Sequence, residues 1–244
     1  MTERLTNARL LDLWEAGRQL SPYQAADLLL RATLPPETAA TVDRWTIGQR
    51  DRHLLRLREA LFGDALDGVA HCPRCGEKVE FTLSTRNLLL PAPDDTPPEH
   101  SLETGEYRVT FRAPTLGDLA AALPQPDAQT ALLARCITAA TRADQPVPAD
   151  ALPPAVLGQL SAAIGKADPQ AQIDLALDCP ACAYTWQAPF DILHYLWREI
   201  DVWARRVLRE VHLIAGAYGW PEAEILRLSP ARRRLYLELI LGVS

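Results

Sequence analysis

The chain has 244 residues, 48% of them hydrophobic and 23% charged, with a formal net charge of −6 at pH 7. That is enough apolar material for one large or two modest globular domains, and it excludes the polar, highly charged profile of a disordered protein. The acidic balance argues against a general nucleic-acid binder, which needs a basic excess to displace phosphate counterions.

Arginine dominates the cations, lysine occurring only at Lys78 and Lys166, so single arginines carry little functional information. The first twenty residues hold scattered charges and no apolar core of a signal peptide. No run reaches membrane-spanning length either, because Arg198, Glu199, Asp201, Arg205 and Arg206 interrupt the longest helical stretch.

Residues 1–65 read as a small helical module. An amphipathic stretch carries Leu10, Leu11, Leu13 and Trp14. Ser21-Pro22 starts a second helix with a cap and a first-turn proline, and Pro35-Pro36 ends it. A short helix over 37–45 leads into one over 47–62, with an apolar face of Leu54, Leu55, Leu57, Leu61 and Phe62 and Gly63 at its C-terminus.

The pattern then changes to short alternating segments. Strand, Cys72-Pro-Arg-Cys75 and strand occupy 69–83; strand, Cys179-Pro-Ala-Cys182 and strand occupy 172–187. Between them, a Pro- and Asp-rich linker over 91–99 precedes a mainly helical insertion. It holds one strand over 106–112, with Tyr107, Val109 and Phe111 on one face, and helices over 116–123, 127–141 and up to Lys166.

The longest helix is expected over 190–218. Its seam is Leu193, Trp197, Ile200, Ala204, Val207, Val211, Ile214 and Tyr218, spaced for packing along a partner helix, within the chain or on another subunit. Trp220-Pro221 and Ser229-Pro230 begin two shorter helices.

The whole reads as α+β and mainly helical. It divides into an N-terminal module (1–65), a split zinc ribbon of two knuckle hairpins (66–88 and 170–189), an inserted α+β subdomain (89–169) and a C-terminal helical region (190–244).

Two Cys-x-x-Cys turns supply the four thiolates that a tetrahedral structural zinc takes. The other readings are a thiol redox site and two unrelated loops. The duplicated strand–knuckle–strand favours one zinc on Cys72, Cys75, Cys179 and Cys182, since redox chemistry needs only one exposed pair. A long self-folding insertion is tolerable because loop-closure entropy grows logarithmically. Gly76 suits the left-handed position after the first knuckle, whereas Ala183 at the equivalent place suggests a different turn. Four protein thiolates leave no open position, so such a zinc is structural and not catalytic.

Cys136 reads as a buried helical thiol, and His71 as a neighbour of the metal. No phosphate loop, Gly-x-Ser-x-Gly or His-Glu-x-x-His occurs. Arg232-Arg233-Arg234 opposes the dipole of the helix it begins; it is either a solvated face or a docking site for an acidic partner.

Three pieces carry a family resemblance: residues 212–240, with Gly219-Trp220-Pro221 and the Arg232–Arg234 run; residues 107–119, with Arg112-Ala-Pro-Thr115 and Gly117-Asp118; and residues 47–63 together with both knuckles. They resemble accessory baseplate proteins of contractile phage tails and bacterial contractile injection systems, related to the baseplate hub assembly chaperones of T-even-type phages. The resemblance implies a non-enzymatic protein that binds other baseplate or tail proteins, in the bacterial cytoplasm or within the assembled particle, without a small-molecule substrate or a membrane. Trp197, Trp203, Trp220, Arg232, Arg233 and Arg234 are the residues expected to meet a partner. The competing classes are a nucleic-acid or transcription-associated zinc ribbon and a thiol oxidoreductase.

Overall fold

The computed structural model describes residues 5–91 and 99–242. The linker expected over 91–99 therefore lies almost wholly outside the described residues. In chain order the elements are α1 (Asn7–Gly17), α2 (Pro22–Thr33), α3 (Pro36–Ala39), a 3-10 turn (Val42–Arg44), α4 (Ile47–Phe62), β1 (Ala65–His71), β2 (Lys78–Ser84) and α5 (Thr85–Leu88). Next come β3 (His100–Thr104), β4 (Tyr107–Phe111), α6 (Leu116–Ala122), α7 (Ala128–Cys136), β5 (Ile137–Arg142) and β6 (Gln145–Pro146). A 3-10 turn (Ala149–Ala151), α8 (Pro154–Ala167), a 3-10 turn (Pro169–Ala171), β7 (Ile173–Asp178), β8 (Thr185–Phe190), α9 (Ile192–Tyr218), α10 (Glu222–Arg227) and α11 (Pro230–Leu241) complete the chain. Among the described residues no helix is long and apolar enough to cross a membrane.

The chain forms two compact units, one of Met1–Ala39 with Leu193–Ser244 and one of Ala40–Ile192. This division cuts across the four segments expected from sequence: the N-terminal module parts at Ala39, and its first half joins the C-terminal helices.

In the first unit, local signals start α1, α2 and α11. Ser21 and Gln24 form a reciprocal capping box at α2, and Ser229 caps α11. Long-range packing then decides the rest. α9 buries Leu193, Leu196, Ile200, Ala204, Val207, Val211 and Ile214. Trp197, also in the expected seam, is half-buried and lies so close to α1 that a Cβ on Gly17 would sit 2.2 Å from its ring. The Trp14 indole N–H donates to Asp201 at 2.9 Å. Arg233 is only 2% exposed; its Nε–H donates to Glu210 at 2.8 Å, and a guanidinium N–H donates to the Leu228 carbonyl.

Among the described residues the second unit contains three antiparallel sheets: the hairpins β1–β2 and β7–β8 and the four-stranded β3-β4-β5-β6. Val109 and Phe111 pack with Leu133, Ala140, Leu152, Val156 and Leu160, so α7 and α8 share a core with β4 and β5. The insertion is thus less helical than expected. The helix expected over 127–141 stops at Cys136, and Ile137–Arg142 becomes β5, pairing Ala140 with Val109. The β-branched Ile137, Thr138 and Thr141 suit a strand, and tertiary pairing decides the outcome. The short helix expected over 37–45 likewise splits into α3 and a 3-10 turn.

α4 has its expected bounds but a different buried face. Leu54 and Leu55 are buried, whereas Leu57, Leu61 and Phe62 are half-exposed; Arg50, Asp51, Arg52 and Arg58 are buried instead. The Gly48 amide donates to Asp168 at 2.8 Å, and a Cβ at Gly48 would meet that carboxylate at 2.0 Å. Arg58 donates to the Gly63 carbonyl and Arg52 to that of Pro91. Gln170 receives the Leu90 amide at 2.8 Å and donates to the Leu88 carbonyl at 3.0 Å, so one buried amide ties the chain entering the insertion to the chain leaving it.

The segment Arg112-Ala-Pro-Thr115 with Gly117-Asp118 proves to be a joint. Thr115 and Asp118 cap α6 reciprocally, Asp118 also receives Arg112 and Arg135, and the Leu116 amide donates to the Trp45 carbonyl at 2.9 Å. Burial opposes ionisation of Asp118, but Arg112 and Thr115 outweigh it and hold the carboxyl at about 2. Burial pushes Asp51 the other way, to about 6, against the attraction of Arg50.

Two outcomes follow from these buried charges. The stability owed to Asp118 is present above the unfolded carboxyl value of about 4 and is lost as pH falls through 2. Asp51 keeps its proton longer when folded, so its contribution is full below about pH 4 and is lost as pH rises through 6. Urea midpoints should therefore rise from pH 2 to 4 and fall from 4 to 6, with Asp118→Asn flattening the first limb and Asp51→Asn the second. Separately, Arg233→Glu should cost at least about 3 kcal/mol, because it buries an unpaired charge beside Glu210. Arg232→Glu, on the exposed side, should stay within about 0.5 kcal/mol; thermal denaturation checks both.

Candidate metal centre

Each knuckle is the six-residue loop of a hairpin. β1–β2 ends on the pair His71↔Lys78 and β7–β8 on Asp178↔Thr185, which leaves residues 72–77 and 179–184 to turn the chain. Alternation buries Leu66 and Val79 in one hairpin and Leu175 and Leu177 in the other.

The two loops share one hydrogen-bond pattern. The Cys72 amide donates to the Glu77 carbonyl and the Gly76 amide to the Cys72 carbonyl, at 2.9 and 2.8 Å. Cys179 with Tyr184, and Ala183 with Cys179, repeat these bonds at 2.9 Å each. Gly76 has φ 77° and Ala183 has φ 54°, so both hold the left-handed conformation. The different turn expected at Ala183 does not occur. The alanine adopts the glycine conformation at a cost of about 1 kcal/mol.

The two loops bring four thiols together, all Sγ atoms lying within 4.8 Å of one another. Across the two knuckles, Cys72 lies 3.7 Å from Cys182 and Cys75 lies 3.6 Å from Cys179. The near equality of these two distances is what an approximate two-fold relation between the hairpins gives. Four sulfurs at the usual zinc–sulfur distance of about 2.3 Å stand about 3.8 Å apart in a regular tetrahedron, so the spacing suits a metal ion of that size. Cys72 and Cys179 are buried, Cys182 is half-buried and Cys75 is exposed.

Electrostatics within the cluster are uneven. Burial works against the Cys72 thiolate, but the backbone amides of Cys75 and Arg74 and the thiols of Cys179 and Cys75 outweigh it and lower its pKa to about 7. The Glu77 amide favours the Cys75 thiolate, yet Cys182, burial and the remaining thiols push it up to about 12. Burial likewise raises Cys182. One thiolate is thus accommodated and further ones are resisted until a cation neutralises them.

Other expected residues fall elsewhere. His71 is exposed, its ring meeting the Gly76 carbonyl at 3.4 Å. Cys136 is fully buried at the end of α7, where burial and then Asp118 raise its thiol to about 11. Of the six residues expected to meet a partner, Arg232 and Arg234 are exposed, and Trp197, Trp203 and Trp220 are half-buried. Trp220 stacks on Tyr218 and meets the edge of Tyr236. Arg233 is buried and spent within the chain, which its place in an arginine run could not show.

A family model described as T4 bacteriophage base plate protein matches residues 22–196, well over half of the chain. The chain belongs to that family, and its role is in baseplate structure or assembly. No curated protein matches the chain. No solved structure matches it either. The matched region holds both knuckles and two of the three resembling pieces; residues 212–240, the longest piece, lie beyond it.

If the left-handed residue after each knuckle limits the turn, Ala183→Gly should stabilise the folded protein by about 1 kcal/mol and Gly76→Ala should destabilise it similarly. Chemical denaturation of the two variants checks this.

Proposed function

We propose that the chain is a zinc-stabilised, non-enzymatic assembly factor of a contractile-tail or injection-system baseplate, working in the bacterial cytoplasm on other tail proteins and carried into the assembled particle or released from it. The observation that carries this reading is the convergence of four thiols from two hairpins inside the segment that defines the family membership.

Cys72, Cys75, Cys179 and Cys182 would hold the ion. When bound, zinc supplies charge neutralisation and a four-way crosslink; all of its positions are taken by protein sulfur, so it offers none to water or substrate. The protein's own share is to aim the thiolates through the amide-rich turns and to hold the hairpins together through Gln170 and Asp168. The split ribbon acts as the clasp of the second unit, with residues 89–169 as its inserted subdomain. Partner contacts fall to the accessible members of the expected set, Trp203, Trp220, Arg232 and Arg234.

Metal analysis of purified protein should give about one zinc per chain. Cys179→Ser should lower both zinc content and melting temperature, and full occupancy in that variant would overturn the shared site. Coexpression with other baseplate proteins of the same particle should yield a stable complex that survives affinity purification. A chain that copurifies with none of them would remove the assembly role while leaving the zinc question open to its own test.

A further inference from the structure

Beyond the metal centre, α11 carries three strongly exposed leucines, Leu235, Leu239 and Leu241, at 60%, 72% and 62% exposure. Their helix faces two ways. Arg233 and Tyr236 turn inward, to Glu210 and to Tyr218 and Trp220. At about 100° per residue, Ala231, Leu235, Leu239 and Gly242 run down the opposite, solvent side, with Arg234 and Glu238 along one flank and Arg232 on the other.

Arg234 and Glu238 are one helical turn apart, yet among the described residues neither forms an ion pair. A cation placed N-terminal to its acid is the weaker orientation for an intrahelical pair. Both charges are left on the rim of the leucine stripe.

We propose that this face of α11 is a self-association surface, taken by α11 of a second copy in antiparallel, two-fold arrangement. A two-fold axis near Leu235 sets Leu235 against Leu235 of the second copy and lays Leu239 over the small Ala231. It also brings Arg234 of each copy opposite Glu238 of the other. Antiparallel pairing matches like flanks, so the flank bearing both signs is complementary to itself. An all-basic flank would instead call for an acidic partner; the presence of Glu238 favours the second copy.

The surface is small. α11 has 12 residues, and one such helix pair buries less than the roughly 1,200–2,000 Å² of a standard stable interface. The dimer is therefore weak, with a dissociation constant on the order of tens of micromolar, and forms where the protein is concentrated, as on an assembling particle. The inference is independent of the zinc reading.

Sedimentation equilibrium over a concentration series tests it. The wild-type protein should move from monomer to dimer, and Leu235→Glu, with unchanged circular dichroism, should stay monomeric. Arg234→Glu and Glu238→Arg should each weaken the dimer about tenfold. Mixing these two variants should restore it, because each chain then presents charges of one sign to a partner of the other. A monomer at every concentration overturns the proposal and points to a different partner, such as an acidic tail protein. A dimer indifferent to Leu235→Glu and to both charge reversals overturns it equally, since another surface would then make the contact.

Discussion

Two cysteine knuckles more than a hundred residues apart must meet, and the second unit is organised around that meeting. Closing a loop of about 100 residues costs on the order of 4 kcal/mol beyond a fixed term, whereas a structural zinc in a thiolate site supplies about 10–16 kcal/mol. A zinc ion bound there would have enough binding energy to hold the hairpins together without a large apolar interface between them. Gln170 and Asp168 reduce what it must do, because they tie residues 88–90 and the start of α4 to the chain that leads into β7.

The same constraint explains why the resembling segments look as they do. The Ile47–Gly63 piece supplies the capped start of α4, the glycine that lets Asp168 approach, and the buried Arg50–Asp51 pair. The Arg112–Asp118 piece supplies a buried carboxylate that caps α6 and collects two guanidinium groups. Neither is a reactive constellation; both fix where segments cross. A role in baseplate structure or assembly is compatible with residues of this kind, which fix shape and carry no reactive group.

Local chemistry was the most legible part of the sequence. Ser21-Pro22, Ser229-Pro230, the boundaries of α4 and both knuckle hairpins follow from caps, turn residues and period-two alternation, all of which act over a few residues. What was hidden depends on distant partners. Ile137–Arg142 is a strand because β4 lies beside it, and Arg52 and Arg58 of α4 are buried because Pro91 and Gly63 offer carbonyls to them. The three arginines of α11 look alike in sequence, but Glu210 and Leu228 take one of them into the core. The candidate site was legible to the level of its four cysteines; their mutual spacing and the left-handed Ala183 came only from the packed hairpins.

The central claim, a single zinc held by Cys72, Cys75, Cys179 and Cys182, is tested most directly by zinc K-edge X-ray absorption on the purified protein. The account requires one coordination shell of four sulfurs at about 2.3 Å. A shell containing nitrogen or oxygen, fewer than four sulfurs, or protein that folds fully without bound zinc would contradict it.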